Sequence, residues 1–253
     1  DKLMEFINPI EFKLMIDEYH NFLKQYSFRD KAINGVLAHF KEFKSYCFLS
    51  ATPIPNNLKP AIFNDITEYM ADWNTTDEIT VYPYHTNTPY MVAAKFIKTY
   101  QAKGCLNVNG IESKEAYFFI NSVTEIKAIL KQTQLTEDDY RIICADNPKN
   151  RKTLEGYTIS SSADAPKKFN FITSKSFEGV DFHSETGLCF VVSNVQNRHT
   201  LVSIDMDIPQ IVGRIRTKSN PFRNKVVHIF NTKATDHYTT FEDMKLIVDE
   251  EVK

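Results

Sequence analysis

Short unbroken runs of apolar residues alternate along this chain with stretches whose apolar residues recur every three or four positions. The first run, Leu14-Met15-Ile16, leads into Asp17-Glu18-Tyr19-His20. Such a run predicts a buried strand, here one that delivers two adjacent carboxylates at its carboxyl end. A helical period follows from about Asp30 to Phe43, with Ile33, Val36, Leu37, Phe40 and Phe43 on one face. Tyr46-Cys47-Phe48-Leu49 predicts a second short buried strand, ending in Ser50-Ala51-Thr52-Pro53. Ile79 to Tyr82 predicts a strand, and Tyr90 to Tyr100 a helix with Met91, Ala94, Phe96 and Ile97 inward. The turn-rich stretch from Lys103 to Gly110 predicts a domain boundary, dividing residues 1–103 from 104–253.

The pattern then restarts. Ala116 to Ile120 predicts a strand, Ser122 an N-cap, and Val123 to Leu130 a helix. Further strands are expected at Arg141 to Cys144, Lys168 to Ile172, Leu188 to Val192 and Val226 to Phe230, with a helix from about Ile208 to Arg216. Five strands separated by helices or long connections predict an α/β fold with a mostly parallel sheet. The segment from Ala234 to Val252 predicts a weakly amphipathic acidic helix, to which no role is assigned.

Composition narrows the function classes. The chain has 253 residues, 42% hydrophobic and 25% charged, with a net charge of −2. Nucleic-acid contacts would therefore come from local clusters: Lys149, Arg151 and Lys152, Lys167 and Lys168, and Arg214 to Lys225. Cys47, Cys105, Cys144 and Cys189 form no CxxC pair, which points away from a zinc site or a disulfide framework. No apolar run approaches the ~18 residues of a membrane span, and a cytoplasmic protein is expected. The chain starts at Asp1 and enters a core strand within 13 residues, so it is expected to be part of a longer polypeptide.

Three groups carry candidate chemistry. Of Asp17 and Glu18, which alternation along a strand sends to different sides, one suits Mg²⁺ held through water and the other suits orienting an attacking water; two solvated acids at a strand end are the plain alternative. Ser50 and Thr52 are either a capped turn or part of a relay beside those acids. Arg214 and Arg216 are planar cations suited to phosphate oxygens, or else a solvated basic helix end.

Taken together these residues form a recognisable series. Asp17-Glu18-Tyr19-His20 resembles the DExH box of superfamily 2 DNA and RNA helicases, and Ser50-Ala51-Thr52 resembles that superfamily's SAT motif. Ser122 is placed like its fourth motif, Thr173 through Gly179 to Asp181 is similar to its fifth, and Gln210-Ile211-Val212-Gly213-Arg214-Ile215-Arg216 resembles its sixth. The resemblance implies two RecA-like parallel-sheet domains, the first incomplete, with ATP between them and a nucleic-acid strand across their tops. It further implies catalytic roles for Asp17, Glu18, Gln210, Arg214 and Arg216, with Mg²⁺ held by Asp17 through water. It implies coupling roles for His20, Ser50 and Thr52, nucleotide contacts from Gly179 and Asp181, and nucleic-acid backbone contacts from Ser122 and Thr173. DNA is favoured over RNA as the partner, and no module suited to reading base sequence is present.

Two departures qualify this. Arg216 follows Arg214 by two residues where three is commoner, and Thr217 takes the usual place. The phosphate-cradling GxxxxGK[ST] is absent, so the chain is expected to be the carboxyl-terminal portion of its parent and not a competent ATPase alone. A helicase-derived module that binds nucleic acid or a partner without hydrolysis is the competing function, and a metal-dependent nuclease a weaker one. The incomplete first half is expected to expose apolar surface.

Overall fold

The computed structural model describes residues 2–71, 78–177 and 179–233; the helix expected over 234–252 lies outside them. The chain divides into two compact units, residues 1–77 with 203–210, and residues 78–202 with 211–253.

In the first unit β1 (Lys13–Ile16) and β2 (Ser45–Phe48) pair in parallel, with Leu14 beside Tyr46 and Ile16 beside Phe48. The crossover between them runs through α1 (Asn21–Lys24) and α2 (Tyr26–His39), the latter kinked at Arg29. Alternation turns Ile16, Tyr46 and Phe48 toward an aromatic cluster. Phe40 contacts Tyr46 edge-on at 4.7 Å and Phe48 contacts Phe63 at 5.0 Å, with Tyr19 and Ile54 filling in behind. The other face is uncovered: Met15 is 67% exposed and Cys47 is exposed. Both strands were expected to be buried, but aromatic packing covers one side only. Phe6, Ile10, Tyr69 and Met70 add to the exposed apolar surface of this unit. The segment 203–210 is held within it by an ion pair between Lys24 Nζ and Asp207 Oδ1 at 2.6 Å.

The second unit is built on six parallel strands in the order β3-β10-β9-β6-β8-β7. They are β3 (Thr80–His85), β6 (Glu115–Phe119), β7 (Tyr140–Ile143), β8 (Phe169–Ile172), β9 (Gly187–Val192) and β10 (Lys225–Phe230). Helices α3 (Pro89–Lys103), α4 (Val123–Thr133) and α5 (Pro148–Thr153) lie in the connections, and β4 (Leu106–Val108) with β5 (Ile111–Ser113) forms an antiparallel hairpin. An all-parallel sheet needs both faces covered, which is why β6 to β9 are largely apolar, with Arg141 on β7 and Asn170 on β8 as buried polar exceptions. On one face Phe118 stacks between Phe171, at 5.5 Å, and Phe190, at 4.7 Å.

The division of the chain differs from the one expected. β3 pairs with β10 along its full length, from Thr80 beside Lys225 to His85 beside Phe230, so residues 80–103 belong to the second unit. The boundary lies at 77/78 instead of 103/104. The turn residues taken for a hinge close the β4–β5 hairpin, where Gly110 has φ +85° and its N–H donates to Asn107 Oδ1 at 2.9 Å. Met91 points outward, 49% exposed, while Ala94 and Ile97 of the same helix are buried as expected. α6 spans Asp207–Val212 and stops short of Arg216.

The other face of the sheet holds a buried cation. Arg141 on β7 is 1% exposed; its Nε donates to Asn170 Oδ1 at 2.6 Å, its Nη1 donates to the Asp164 carbonyl, and its guanidinium carbon lies 5.3 Å from the Phe182 ring centre. Burial pulls its pKa below the ordinary arginine value, opposed by Tyr117, Asp164 and Glu115. Removing it leaves a cavity and strands the Asp164 carbonyl. Arg141→Ala is therefore expected to lower unfolding free energy by about 3 kcal/mol. Urea denaturation measures this, and a loss below about 1 kcal/mol would assign the side chain no structural weight.

Candidate functional site

The first group of candidates forms where β1 and β2 end side by side. β1 stops at Ile16, and Glu18 adopts a left-handed backbone with φ +52°, supported by its own N–H donating to Asp17 Oδ1 at 2.9 Å. A tight turn, and not the pleat of a continuing strand, thus parts the two acids. Asp17 faces solvent, whereas the side chain of Glu18 is about one-third exposed.

His20 is completely buried, and its Nδ1 is the hub of the group. It lies 2.7 Å from Ser50 Oγ, 3.2 Å from Glu18 Oε2 and 3.3 Å from Thr52 Oγ1. Ser50 Oγ also accepts the Thr52 N–H at 3.0 Å, which fixes the turn after β2. The approach of Glu18 to His20 is within ion-pairing range without the geometry of a hydrogen bond. Glu18 Oε2 is consequently a buried oxygen with no hydrogen-bond partner among the described residues. An acceptor in that state is ready for a donor from outside the protein, such as a water molecule.

Gln210 joins this group from far along the chain, its Nε2 donating to Thr52 Oγ1 at 3.2 Å across 158 residues of sequence. Gln210 is 5% exposed. The Thr52 hydroxyl therefore stands between the His20 ring and the Gln210 amide, and one connected set of polar contacts unites Glu18, His20, Ser50, Thr52 and Gln210.

The second group lies wholly in the second unit. The backbone of Phe182 and that of Ile215 form a parallel bridge, in which the Phe182 N–H donates to the Arg214 carbonyl at 2.7 Å and the Arg216 N–H to the Phe182 carbonyl at 2.9 Å. Residues two apart on extended backbone share a side. Arg214 and Arg216 accordingly both face Asp181, with Arg216 Nε at 2.8 Å from Asp181 Oδ1 and Arg214 Nη1 at 3.8 Å. A spacing of two does here what a spacing of three does on a helix. Arg214 is 8% exposed, while Arg216 and Asp181 are about half exposed. Asp181 thus engages the two arginines, and Thr217 accepts the Ser184 N–H at 3.0 Å. Gly179 has φ +75°, a left-handed conformation that glycine tolerates best.

The expected nucleic-acid residues are turned to internal tasks. Ser122 caps α4, its Oγ accepting the Glu125 N–H at 3.4 Å, and Thr173 is 6% exposed with its hydroxyl directed at the Ile143 carbonyl, 3.4 Å away. Among the basic clusters, Arg151 pairs with Asp146 through two contacts of 2.5 and 2.7 Å, Lys167 donates to the Glu137 carbonyl and Lys168 to the Tyr100 carbonyl at 3.2 Å.

One residue absent from the expected set stands out by its contacts. Asn121 Oδ1 accepts from the Ser174 N–H at 3.2 Å and from Ser174 Oγ at 2.7 Å, while its Nδ2 donates to the His199 carbonyl at 2.6 Å. Its partners lie 53 and 78 residues away, so no local signal announced it. Among the described residues, no helix is long and apolar enough to cross a membrane. No family model matches the chain, and no curated protein matches it.

Proposed function

We propose that this chain is part of an ATP-dependent nucleic-acid motor of the superfamily 2 kind, in which nucleotide state is coupled to the grip on a nucleic-acid strand. The observation that carries the reading is the connected set of Glu18, His20, Ser50, Thr52 and Gln210, gathered from three separate stretches of sequence around one buried ring nitrogen. A scaffold has no need of a buried carboxylate oxygen without a hydrogen bond at the end of a parallel strand pair.

The chemistry assigned to each group follows from its surroundings. Glu18 orients the attacking water through its Oε2. Asp17, exposed beside it, would hold Mg²⁺ through water; no cluster of three His, Cys, Asp or Glu side chains is placed for a metal among the described residues, and an ion that takes most of its oxygens from water and substrate phosphates fits one carboxylate. When bound, the metal neutralises charge on the phosphates. Arg214 and Arg216 stabilise charge that develops on the transferring phosphoryl group. His20 and Gln210 pass the state of Glu18 to the segment 203–210 through Thr52.

A second reading has its own support. GxxxxGK[ST] is absent from these 253 residues, which favours a module that binds without hydrolysing when acting alone.

The coupling is testable in a polypeptide that joins this chain to a phosphate-binding loop. His20→Ala and Gln210→Ala should each retain ATP hydrolysis without nucleic acid while losing most of its stimulation by a single strand, since neither side chain is asked to touch the reacting atoms. Steady-state turnover with and without oligonucleotide reads this ratio. Full stimulation in both variants would leave the network without a functional role.

A further inference from the structure

The second unit brings two exposed cationic turns together at the carboxyl ends of its strands. One follows β8, where Ser174 and Lys175 are both exposed. The other follows β9, where Arg198 and His199 are exposed on a short turn. They are far apart in sequence, and a single side chain joins them. Asn121, just after β6, accepts from the backbone and hydroxyl of Ser174 and donates to the His199 carbonyl at 2.6 Å. The β9 turn is also braced from within: Thr200, 1% exposed, accepts the Asn194 N–H at 2.9 Å and donates to the Asn197 carbonyl at 2.8 Å. Asp146, whose carboxylate feels the charge of Lys175, is engaged by Arg151.

Resting on the nucleic-acid reading above, we infer that Lys175 and Arg198 are the backbone-phosphate contacts of this unit and that Asn121 is the residue that positions them. The Thr173 hydroxyl is buried against Ile143 and the Ser122 hydroxyl caps a helix, whereas Lys175 and Arg198 lie on the exposed surface. Successive phosphates of one strand suit two cations held at a fixed separation. Side-chain entropy opposes binding by a free lysine or arginine, and fixing the turns that carry them reduces the part of that cost that belongs to the backbone. Such contacts set position without reading sequence.

Fluorescence anisotropy of the full chain with a labelled oligothymidylate, repeated over a range of salt, tests this. Lys175→Ala and Arg198→Ala should each weaken binding about threefold or more at low salt and each reduce the slope of log affinity against log salt by about one. Asn121→Ala should weaken binding comparably, and on the Arg198→Ala background it should weaken it much less, because a positioning residue has little left to position. A purely structural role for Asn121 would give additive losses and an unchanged salt slope. Lys103→Ala, at the end of α3 near the start of the strands, should leave affinity and slope unaltered. Wild-type chain that binds, with Lys175→Ala and Arg198→Ala matching it, would overturn this inference and leave the nucleic-acid reading standing. Wild-type chain that binds no oligonucleotide would overturn both. Should Asn121→Ala melt below the assay temperature, the two exposed cation variants still decide the matter.

Discussion

Glu18→Gln, in a polypeptide that also supplies the phosphate-binding loop, is expected to cut ATP turnover by about 10²–10⁴-fold, the usual contribution of a general base. Nucleotide affinity should change little. Glutamine keeps the volume of glutamate, and Asp17, which stands apart from the network and faces solvent, is untouched. What changes is Oε2, the buried oxygen that no described residue hydrogen-bonds, 3.2 Å from His20 Nδ1. An amide there either presents a donor or a weaker acceptor, and neither draws a proton from water. Equilibrium binding of a fluorescent nucleotide beside phosphate-release kinetics separates the two effects. Loss of binding in step with turnover would make Glu18 a ligand-holding group.

Arg214→Ala should act on a different quantity. On the proposed reading its guanidinium acts as charge develops on the transferring group, so kcat should fall by about 10³-fold or more with a smaller change in KM. The backbone at Arg214 is already fixed by its carbonyl's bond from Phe182, which does not depend on the side chain. The variant is therefore expected to stay folded, as a thermal melt would check. Arg214→Lys should rescue poorly, because an ammonium restores charge without the planar fork.

Much of the second unit was legible because buried parallel strands are largely apolar runs, and Ser122 marked the start of α4 by its chemistry. What sequence could not supply was partnership. Ile79 to Tyr82 read correctly as a strand, but nothing local says that its neighbour is β10, and so the boundary was misplaced by some twenty-six residues, from 77/78 to 103/104. The end of α6 was hidden for another reason. Ile208, Ile211, Val212 and Ile215 keep a helical period and all four are buried, yet Ile215 is buried by bridging to Phe182 on extended backbone. In the first unit, Leu14-Met15-Ile16 has the composition of a two-sided strand, while its neighbours cover only one side. At the site, adjacency in sequence pointed to Asp17 and Glu18, and resemblance pointed to Gln210. Asn121 and Arg141 act through partners that only the fold brings near.

The most direct test of the nucleotide-site reading is phosphate release from ATP by a polypeptide that joins this chain to a phosphate-binding loop, measured with and without a single-stranded oligonucleotide, for the unsubstituted protein and for Glu18→Gln. The account predicts release that the oligonucleotide stimulates and that Glu18→Gln abolishes by two orders of magnitude or more. Release that is unchanged by the substitution, or no release from a polypeptide that carries the phosphate-binding loop, would contradict it and leave the binding-module reading in its place.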